Sequence, residues 1–524
     1  MLKEILATLG ILSGASFLSG ASPNVLFEEH FDNPESINAW QAKGGGAAYD
    51  PELKAVKFTS VKPGEDYLIF HLDENKLRGR RIQFEAMVRG KDLSQSATVY
   101  FNSKLKISFD SNSGCERNPE PIRKSGTYDW RKASRVFFIP EDASNIKITL
   151  GLQDITGTYW VKNLRILELP VYPGQPYTPS PEPLQQNPKY RGIDTAIRAW
   201  TEQHFIDLKK WNVNIIRYQM LPYGKSINTR EKFSAWIELE MKNIDAFLVL
   251  AGKYGMRAVL DLQIGPGMDN FELGSNKMSW DIKDQDLLVE IWRRMAGHYK
   301  GNRTVYAYDI LNEPREEDFV YDPDGGVEWQ LLVEKVIEAI RKIDPDTTII
   351  VEATSWSNPQ GFLNLKPVNG RNLIYSPHFY SPHIYTHQGI RDYKQRFKYP
   401  GNIGNEYWDK ERLRKELEPV IVFQKKYNVP IYIGEFSAVR WAEGADQWLN
   451  DIIDLFEEYG WDWSYHSFRE YHGWSVEHGQ DQSDNSLKKT TPRKEVLLNY
   501  FKLNVQPDNG QKTDSGTLSK KSKQ

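Results

Sequence analysis

The sequence predicts two folded regions: a (β/α)8 TIM barrel of the α/β class and, before it, an all-β sandwich domain of jelly-roll type. Short strand-like runs with alternating apolar and polar residues fill 23–169. Proline is then concentrated in 170–188. Over 189–505 strand-like runs alternate with helical ones. Eight such repeats in roughly 300 residues suit a closed barrel better than an open sheet.

Length, charge and cysteine content limit what the protein can be. A chain of 524 residues suggests two or three domains. The net charge of -3 gives no indication of a nucleic-acid or membrane-surface partner. Cys115 is the only cysteine, which excludes an intramolecular disulfide and a cysteine-based metal cluster. We expect a monomer.

The first 22 residues have the features of a signal peptide. Lys3 precedes an apolar stretch, and Ser19-Gly20-Ala21 supplies small residues for cleavage. The alternative is a frayed N-terminal helix. We expect a secreted or periplasmic protein with no membrane contact once the signal is removed, since no other apolar run is long enough to span a bilayer.

The region 23–169 contains nine strand-like runs separated by Gly, Pro, Asn, Asp and Ser clusters. The run from Thr156 to Leu164 resembles the closing strand of jelly-roll carbohydrate-binding modules. The alternative is a β domain that only supports its neighbour. Trp40, Tyr67, Trp130 and Trp160 are candidates for sugar stacking, although core packing is the default for aromatic side chains.

Two segments are predicted to lie outside the domains. The proline-rich run 170–188 favours an extended, semi-rigid linker. The polar, Lys/Ser-rich tail 506–524 has no periodicity and is predicted to be disordered.

Two carboxylates at strand ends carry the predicted chemistry. The run V-Y-A-Y-D-I-L-N-E-P begins as an apolar strand and stops at Pro314, which leaves Asn312 and Glu313 at its carboxyl end. By strand count this is the fourth strand, and Glu435 ends the seventh, I-Y-I-G-E. Both side chains should reach the carboxyl-end face of one barrel. Such a pair suits glycosidic bond cleavage.

The barrel region resembles glycoside hydrolase family 5, the cellulase-like group of retaining (β/α)8 enzymes. The resemblance rests on seven motifs in family order: R-G-I-D-T, N-I-I-R-Y, V-L-D-L-Q, D-I-L-N-E-P, S-P-H-F-Y-S-P, Y-I-G-E-F and S-Y-H-S-F-R-E-Y-H-G-W-S. It implies that Glu313 is the acid/base and Glu435 the nucleophile of a double displacement.

The resemblance also assigns four supporting residues. Arg217 is placed against Glu435, where its fixed charge would keep the nucleophile ionised. Asn312 corresponds to the residue that hydrogen-bonds the sugar 2-hydroxyl. His378 corresponds to the histidine near the acid/base, and Tyr380 to the donor to the nucleophile. Two residues apart on a strand, these last two share one face.

Several strand-end residues depart from the family pattern or remain open. Gln263 stands where the family usually has a histidine after strand three. At strand eight the family offers a tryptophan that stacks under the sugar, and Trp463, His466 and Trp474 all remain candidates. Trp356, after strand five, is another possible substrate platform. For Asp261 and Asp309 the default is structural hydrogen bonding to neighbouring loops.

The sequence therefore predicts a secreted, retaining β-glycoside hydrolase that is endo-acting on a β-linked polysaccharide of the β-glucan, cellulose or mannan type. Neither a metal nor an organic cofactor is needed, because two carboxylates suffice. One alternative is a non-catalytic carbohydrate-binding protein on the same scaffold. A transglycosylase is the other, since a sugar hydroxyl can replace water. The expected partner is a polysaccharide or oligosaccharide.

Overall fold

A computed structural model describes most of the chain between residues 24 and 507. The described ranges are 24–95, 102–111, 121, 125–169, 176–179, 189–197, 199–222, 227, 229–267, 282–315, 329–390 and 393–507. The predicted signal peptide, most of the linker and nearly all of the tail lie outside them. Within the described part, no helix is both long and apolar enough to cross a membrane. The chain divides into two compact units near residue 171.

The first unit is a pair of antiparallel sheets. One has the order β3-β4-β10-β6-β8, with β1 on β10, and the other has the order β2-β5-β9-β7. The predicted strand over 97–101 lies outside the described residues. The strands are β1 (Asn24–Glu29), β2 (Gln41–Lys43), β3 (Ala47–Asp50), β4 (Ala55–Ser60), β5 (Glu65–His71), β6 (Arg80–Leu93), β7 (Ser103–Asp110), β8 (Gly126–Ile139), β9 (Ser144–Gln153) and β10 (Gly157–Glu168).

Strand alternation gives the first unit its core, as the sequence predicts. Three of the four aromatic candidates for sugar stacking are buried. Trp40 packs on other aromatic rings with centroids 5.2–6.4 Å apart, and Trp160 donates its indole N–H to Asp50 at 2.9 Å. Trp130 is half-buried, and Lys162 lies 4.2 Å from its ring centroid.

In the part of the second unit that the structure describes, eight strands run parallel, and each matches a predicted barrel strand. Their order is β16-β15-β14-β13-β12-β11-β20-β19. Isolated parallel bridges join Tyr375 to Ile431 and Phe379 to Phe436, which closes the ring between β16 and β19. The strands are β11 (Arg191–Thr195), β12 (Ile215–Met220), β13 (Arg257–Leu262), β14 (Val305–Asp309), β15 (Thr348–Glu352), β16 (Leu373–Ser376), β19 (Tyr432–Ile433) and β20 (Asp462–His466), with a separate hairpin of β17 (Gly401–Ile403) and β18 (Glu406–Trp408). The predicted TIM barrel is confirmed.

Helices alternate with these strands, and local signals fix several of their ends. Thr229 accepts a hydrogen bond from the Lys232 amide at the start of α2, and Asp409 accepts one from Arg412 at the start of α6. Asn428 ends α6 in a left-handed conformation. The helices are α1 (Glu202–Lys210), α2 (Arg230–Lys253), α3 (Ile282–Tyr299), α4 (Trp329–Arg341), α5 (His383–Thr386), α6 (Lys410–Tyr427), α7 (Ala445–Glu458) and α8 (Pro492–Phe501).

The barrel interior is layered, because every second residue of a strand points inward. One layer is a separate buried cluster made by Tyr190, Ile215, Val259, Ala307, Ile350, Ile374 and Tyr432. Two residues further along four of these strands come Arg217, Asp261, Asp309 and Glu352, all buried. An apolar floor is therefore covered by a charged layer at the carboxyl end of the barrel.

Candidate active site

Glu313 lies just beyond the end of β14 in a left-handed backbone conformation. Its φ is +47°, which is unfavourable for a residue with a side chain, and Pro314 follows it. Its amide donates to Glu352 Oε2 at 2.7 Å, and the preceding Asn312 amide donates to the Leu262 carbonyl at 3.0 Å. These contacts end the strand and turn the Glu313 side chain into the cleft, where it is 27% exposed.

Glu435 follows β19 and is buried. Its Oε1 accepts hydrogen bonds from Arg217 Nη1 at 2.8 Å and Gln219 Nε2 at 2.9 Å. Its Oε2 accepts one from the Tyr380 hydroxyl at 2.9 Å. Three donors, two from β12 and one from the loop after β16, thus hold both carboxylate oxygens.

The two carboxylates face each other across His378. A carboxylate oxygen of Glu313 lies within 4.8 Å of one from Glu435. His378 Nδ1 is 2.9 Å from Glu313 Oε1 and 3.9 Å from Glu435 Oε2. The structure therefore brings together Glu313, Glu435, His378 and Tyr380, which the sequence placed on three different strand ends.

Arg217 is the centre of the charged layer. Its guanidinium lies 2.8–3.8 Å from five carboxylates and donates to Asn312 Oδ1 at 3.0 Å; the five acids are Asp194, Asp261, Asp309, Glu352 and Glu435. Asp261 and Asp309 consequently point at Arg217, and the expectation that they hydrogen-bond neighbouring loops is wrong. Both occupy inward-facing positions near the carboxyl ends of their strands, so their side chains meet inside the barrel.

Burial and charge separate the pKa values of the pair. Burial alone would raise the pKa of Glu435, but the nearby His378 and His466 charges oppose it. With Arg217 and the Tyr380 hydrogen bond they hold that pKa at about 2. For Glu313 burial raises the pKa, and the negative charge of Glu435 adds to the rise against the His378 hydrogen bond. One carboxyl group is thus kept ionised and the other favours its protonated form.

The carboxyl groups around Arg217 outnumber the positively charged side chains beside them. Burial, reinforced by Glu435, raises the pKa of Asp194 to about 7. Burial likewise raises the pKa of Asp309 to about 7, against the charge of Arg217, and raises the pKa of Asp261 well above its ordinary value. Part of this layer therefore carries protons near neutral pH.

His466 lies beside Glu435. Its Nδ1 is 2.9 Å from Asp194 Oδ2 and 4.0 Å from Glu435 Oε2. Gln219 Nε2 donates to the same Asp194 oxygen at 2.8 Å and also to Glu435. Burial lowers the pKa of His466, but Glu470, Asp194 and Glu435 raise it to about 10.

The aromatic candidates separate into three groups. Trp356 is 40% exposed, and its amide donates to the Pro314 carbonyl at 3.3 Å, directly behind Glu313. Trp474 is half-buried, with its ring centroid 6.2 Å from that of Tyr380. Trp463 is completely buried, donates to Glu457 at 2.9 Å and packs on Phe501. The prediction that Trp463 contacts substrate is wrong, because its ring faces the helix layer.

Gln263 lies immediately after β13 and is half-buried. Its side-chain oxygen is buried without a hydrogen-bond partner among the described residues. A sugar hydroxyl is a suitable donor for such an oxygen.

Three contributors were not selected from the sequence: Asp194, Gln219 and Glu352. Each occupies an inward position on a barrel strand, and Glu352 is the last residue of the fifth strand. A search for every polar residue at an inward strand end would have found them.

Among the described residues, three groups of acids and histidines have the spacing for a cation; they are Asp194/Glu435/His466, Glu313/His378/Glu435 and Asp261/Asp309/Glu352. In the third group all three acids contact the Arg217 guanidinium, which already supplies the neutralising charge. Of the other two, the first contains Glu435 and the second contains both facing carboxylates.

The barrel region is similar in sequence to known proteins. Residues 183–471, more than half of the chain, match the family model Cellulase (glycosyl hydrolase family 5). Endoglucanase C of Acetivibrio thermocellus is 29% identical over 269 residues, which cover 46% of this chain and 76% of that protein. Cellodextrinase A of Ruminococcus flavefaciens is 26% identical over 235 residues, 43% of this chain and 66% of that protein.

A crystal structure of endoglucanase Cel5A from Thermotoga maritima superimposes with a TM-score of 0.45 and 23% identity, covering 59% of this chain and 96% of that one. The match to the family model extends across the barrel strands that carry the facing carboxylates and their donors. The chain therefore belongs to glycosyl hydrolase family 5.

Proposed function

We propose that the protein is a retaining β-glycoside hydrolase that cleaves a β-linked polysaccharide of the β-glucan, cellulose or mannan type internally. The observation that carries the proposal is the facing pair Glu313 and Glu435, with oxygens within 4.8 Å and pKa values shifted in opposite directions. Retaining enzymes separate their carboxyl groups by about 5–5.5 Å, whereas inverting enzymes need more room for a water molecule.

In the first step, ionised Glu435 attacks the anomeric carbon while protonated Glu313 gives its proton to the leaving glycosidic oxygen. The bond to the leaving sugar breaks and a glycosyl ester of Glu435 forms. The raised pKa of Glu313 supports the acid role, and the lowered pKa of Glu435 supports the nucleophile role.

In the second step, Glu313 has become a carboxylate and acts as a base. It takes a proton from water, whose oxygen attacks the same carbon and releases Glu435. Two inversions restore the original configuration. As the ester breaks, negative charge returns to Glu435, where Tyr380 and Arg217 donate to it.

Asn312 and the accessible aromatic rings support the substrate part of the proposal. The side-chain oxygen of Asn312 accepts a hydrogen bond from Arg217, so its amide nitrogen is left to donate to a sugar hydroxyl. Trp356, beside Pro314, and Trp474, beside Tyr380, are only partly buried and offer apolar ring surface, which suits the apolar faces of a β-linked sugar chain. The relatives reported above are named endoglucanase and cellodextrinase.

For the remaining parts of the chain, the apolar N-terminal stretch after Lys3 supports export, to the periplasm or the medium. The sandwich is proposed as a carbohydrate-binding module, for which Trp130 is the half-buried aromatic candidate. Its test is retention of the full-length chain on insoluble glucan, compared with the variant Trp130→Ala. Equal retention of the two proteins would remove Trp130 from the proposal.

The catalytic assignment is tested by Glu313→Gln and Glu435→Gln on soluble β-glucan. Each should lose about 100-fold or more of kcat with the fold retained, because each removes a group that acts in the transition state. Glu443→Gln is the matched control, since Glu443 is an exposed barrel glutamate paired with Lys398. Near-normal turnover in either active-site variant would contradict the assignment.

Stereochemistry and product length test the mechanism independently. Proton NMR of the first product should show the β anomer, and an initial α anomer would exclude Glu435 as nucleophile. A panel of β-glucans, mannans and xylans identifies the substrate, and a rapid fall in viscosity distinguishes internal from terminal cleavage. Product analysis at high substrate concentration separates hydrolysis from transglycosylation, because sugar hydroxyls then compete with water.

A further inference from the structure

Glu352, the last residue of β15, uses both carboxylate oxygens inside the charged layer. It is 1% exposed. Its Oε2 accepts the backbone N–H of Glu313 at 2.7 Å, and its Oε1 accepts Arg217 Nη2 at 2.9 Å. The same Oε1 lies 3.2 Å from His378 Nε2. One side chain thus contacts the backbone of the acid/base, the guanidinium and the histidine beside the acid/base.

The contact with the Glu313 amide matters because of the backbone there. A φ of +47° is disfavoured for glutamate and persists only where the surroundings impose it. Pro314 follows and has no N–H of its own to share in holding the turn. A carboxylate acceptor forms a stronger hydrogen bond to an amide than a neutral oxygen does. Glu352 therefore stabilises the conformation that directs Glu313 into the cleft.

The contact with His378 reaches the side chain of the same residue. The ring is buried between two carboxylates, with Nδ1 2.9 Å from Glu313 Oε1 and Nε2 3.2 Å from Glu352 Oε1. The group facing one ring nitrogen sets what the other nitrogen can do. Glu352 thus orients the imidazole that contacts the Glu313 carboxyl group.

Asp309 binds the same guanidinium but lacks the Glu313 and His378 contacts in the described part of the chain. It contacts Arg217 Nε at 2.9 Å and is equally buried. Among the hydrogen bonds and ion pairs of the described residues, Asp309 contacts neither Glu313 nor His378. It is therefore a matched control for removing one carboxylate from the Arg217 cluster.

We propose that Glu352 is the positioning residue of the acid/base, acting on the Glu313 backbone through its amide and on the Glu313 side chain through His378. The inference rests on the proposed function, because it takes Glu313 as the proton donor. It goes beyond that function by assigning to β15 a role in leaving-group protonation. Loss of Glu352 then impairs proton transfer selectively rather than all catalysis equally.

The dependence of the rate on the leaving group distinguishes a selective loss of proton transfer from an equal loss of all catalysis. The full-length protein and Glu352→Gln are compared on phenyl and 2,4-dinitrophenyl β-cellobioside, using kcat/KM because it reports the step that breaks the glycosidic bond. Phenolate needs protonation to leave and dinitrophenolate does not. Glu352→Gln should lose about 100-fold on the phenyl substrate and less than about fivefold on the dinitrophenyl one. Asp309→Asn should lose similar factors on both.

Equal losses on both substrates in Glu352→Gln, or no loss at all, would overturn the proposal. If Glu352→Gln does not fold, Glu352→Asp decides, since it keeps the charge but is too short to hold every contact. It should show the same selectivity in weaker form, and equal losses there would also overturn the proposal. Glu313→Gln is measured in parallel. If Glu313→Gln shows no selectivity, the proposed function fails; if only Glu313→Gln shows it, the positioning role alone fails.

Discussion

The hydrogen bond from Tyr380 to Glu435 provides a quantitative test of how Glu435 is kept ionised. Tyr380→Phe removes one hydroxyl that donates to Glu435 Oε2 at 2.9 Å and leaves Arg217 and Gln219 on the other oxygen. The donor favours the ionised carboxylate, so its loss must raise the pKa of Glu435. The acid limb of the pH profile should therefore move to higher pH.

The size of the shift follows from the energy of that bond. A hydrogen bond to a charged group contributes about 1.5–3 kcal/mol, and one pKa unit corresponds to about 1.36 kcal/mol. The pKa of Glu435, about 2 in the intact site, should rise by about 1–2 units. The second step should also slow by about 10- to 100-fold, because charge returns to Glu435 with one donor fewer.

The assay is kcat/KM for 2,4-dinitrophenyl β-cellobioside from about pH 3 to about pH 8, combined with a burst measurement that isolates the second step. Tyr385→Phe is the control, since its buried hydroxyl donates to the Glu443 carbonyl at 2.9 Å, away from Glu435. An acid limb that coincides in Tyr380→Phe and the unaltered protein would refute the explanation of the lowered pKa.

Three further predictions concern stability, substrate contact and the upper pH limit. Burial raises the pKa of Asp462 to about 7. Protonated Asp462 is therefore favoured by folding, and the part of the free energy of unfolding that depends on it is fully present below about pH 4 and is lost as the pH rises through 7. The variant Asp462→Asn does not titrate at this position. Its free energy of unfolding should therefore rise by about 4 kcal/mol relative to that of the unaltered protein between pH 4 and pH 8, measured by denaturant titration. A difference between the two proteins that does not change with pH would contradict the prediction. Trp474→Ala should raise KM for cello-oligosaccharides about 2- to 10-fold with kcat little changed, and an unaltered KM would remove Trp474 from the cleft contacts. Activity should fall as the pH rises through the raised pKa of Glu313, so a basic limb at or below the ordinary carboxyl value of 4.5 would be inconsistent with the acid role.

The sequence predicted the features that depend on single strands. All eight barrel strands were found because each is a short apolar run between helical stretches. Glu313 was selected because proline ends its strand just after an acidic residue, and Glu435 because it stands at the end of a short apolar run. In each case the information lies within about ten residues of one segment, which is the range over which periodicity is informative.

The features that were missed depend on how strands face each other. In W-D-W-S-Y-H the apolar residues do not reveal which alternate positions point inward, so Trp463 could not be distinguished from a cleft residue. The structure shows which positions of this strand point inward, since Ser464 contacts Tyr432 inside the barrel and Trp463 packs outside it. Glu352 likewise became informative only when Arg217 and the Glu313 amide were found beside it.

The closure of the barrel has a consequence for motion. Between β16 and β19 the described backbone is joined by few hydrogen bonds, among them Phe379 N–H to the Glu435 carbonyl at 2.9 Å and Gly434 N–H to the Pro377 carbonyl at 3.3 Å. Tyr380 and Glu435 come from opposite sides of this junction between β16 and β19. Any widening of this junction lengthens the Tyr380–Glu435 contact directly, so amide hydrogen exchange at Phe379 reports how often Glu435 is released from its donor.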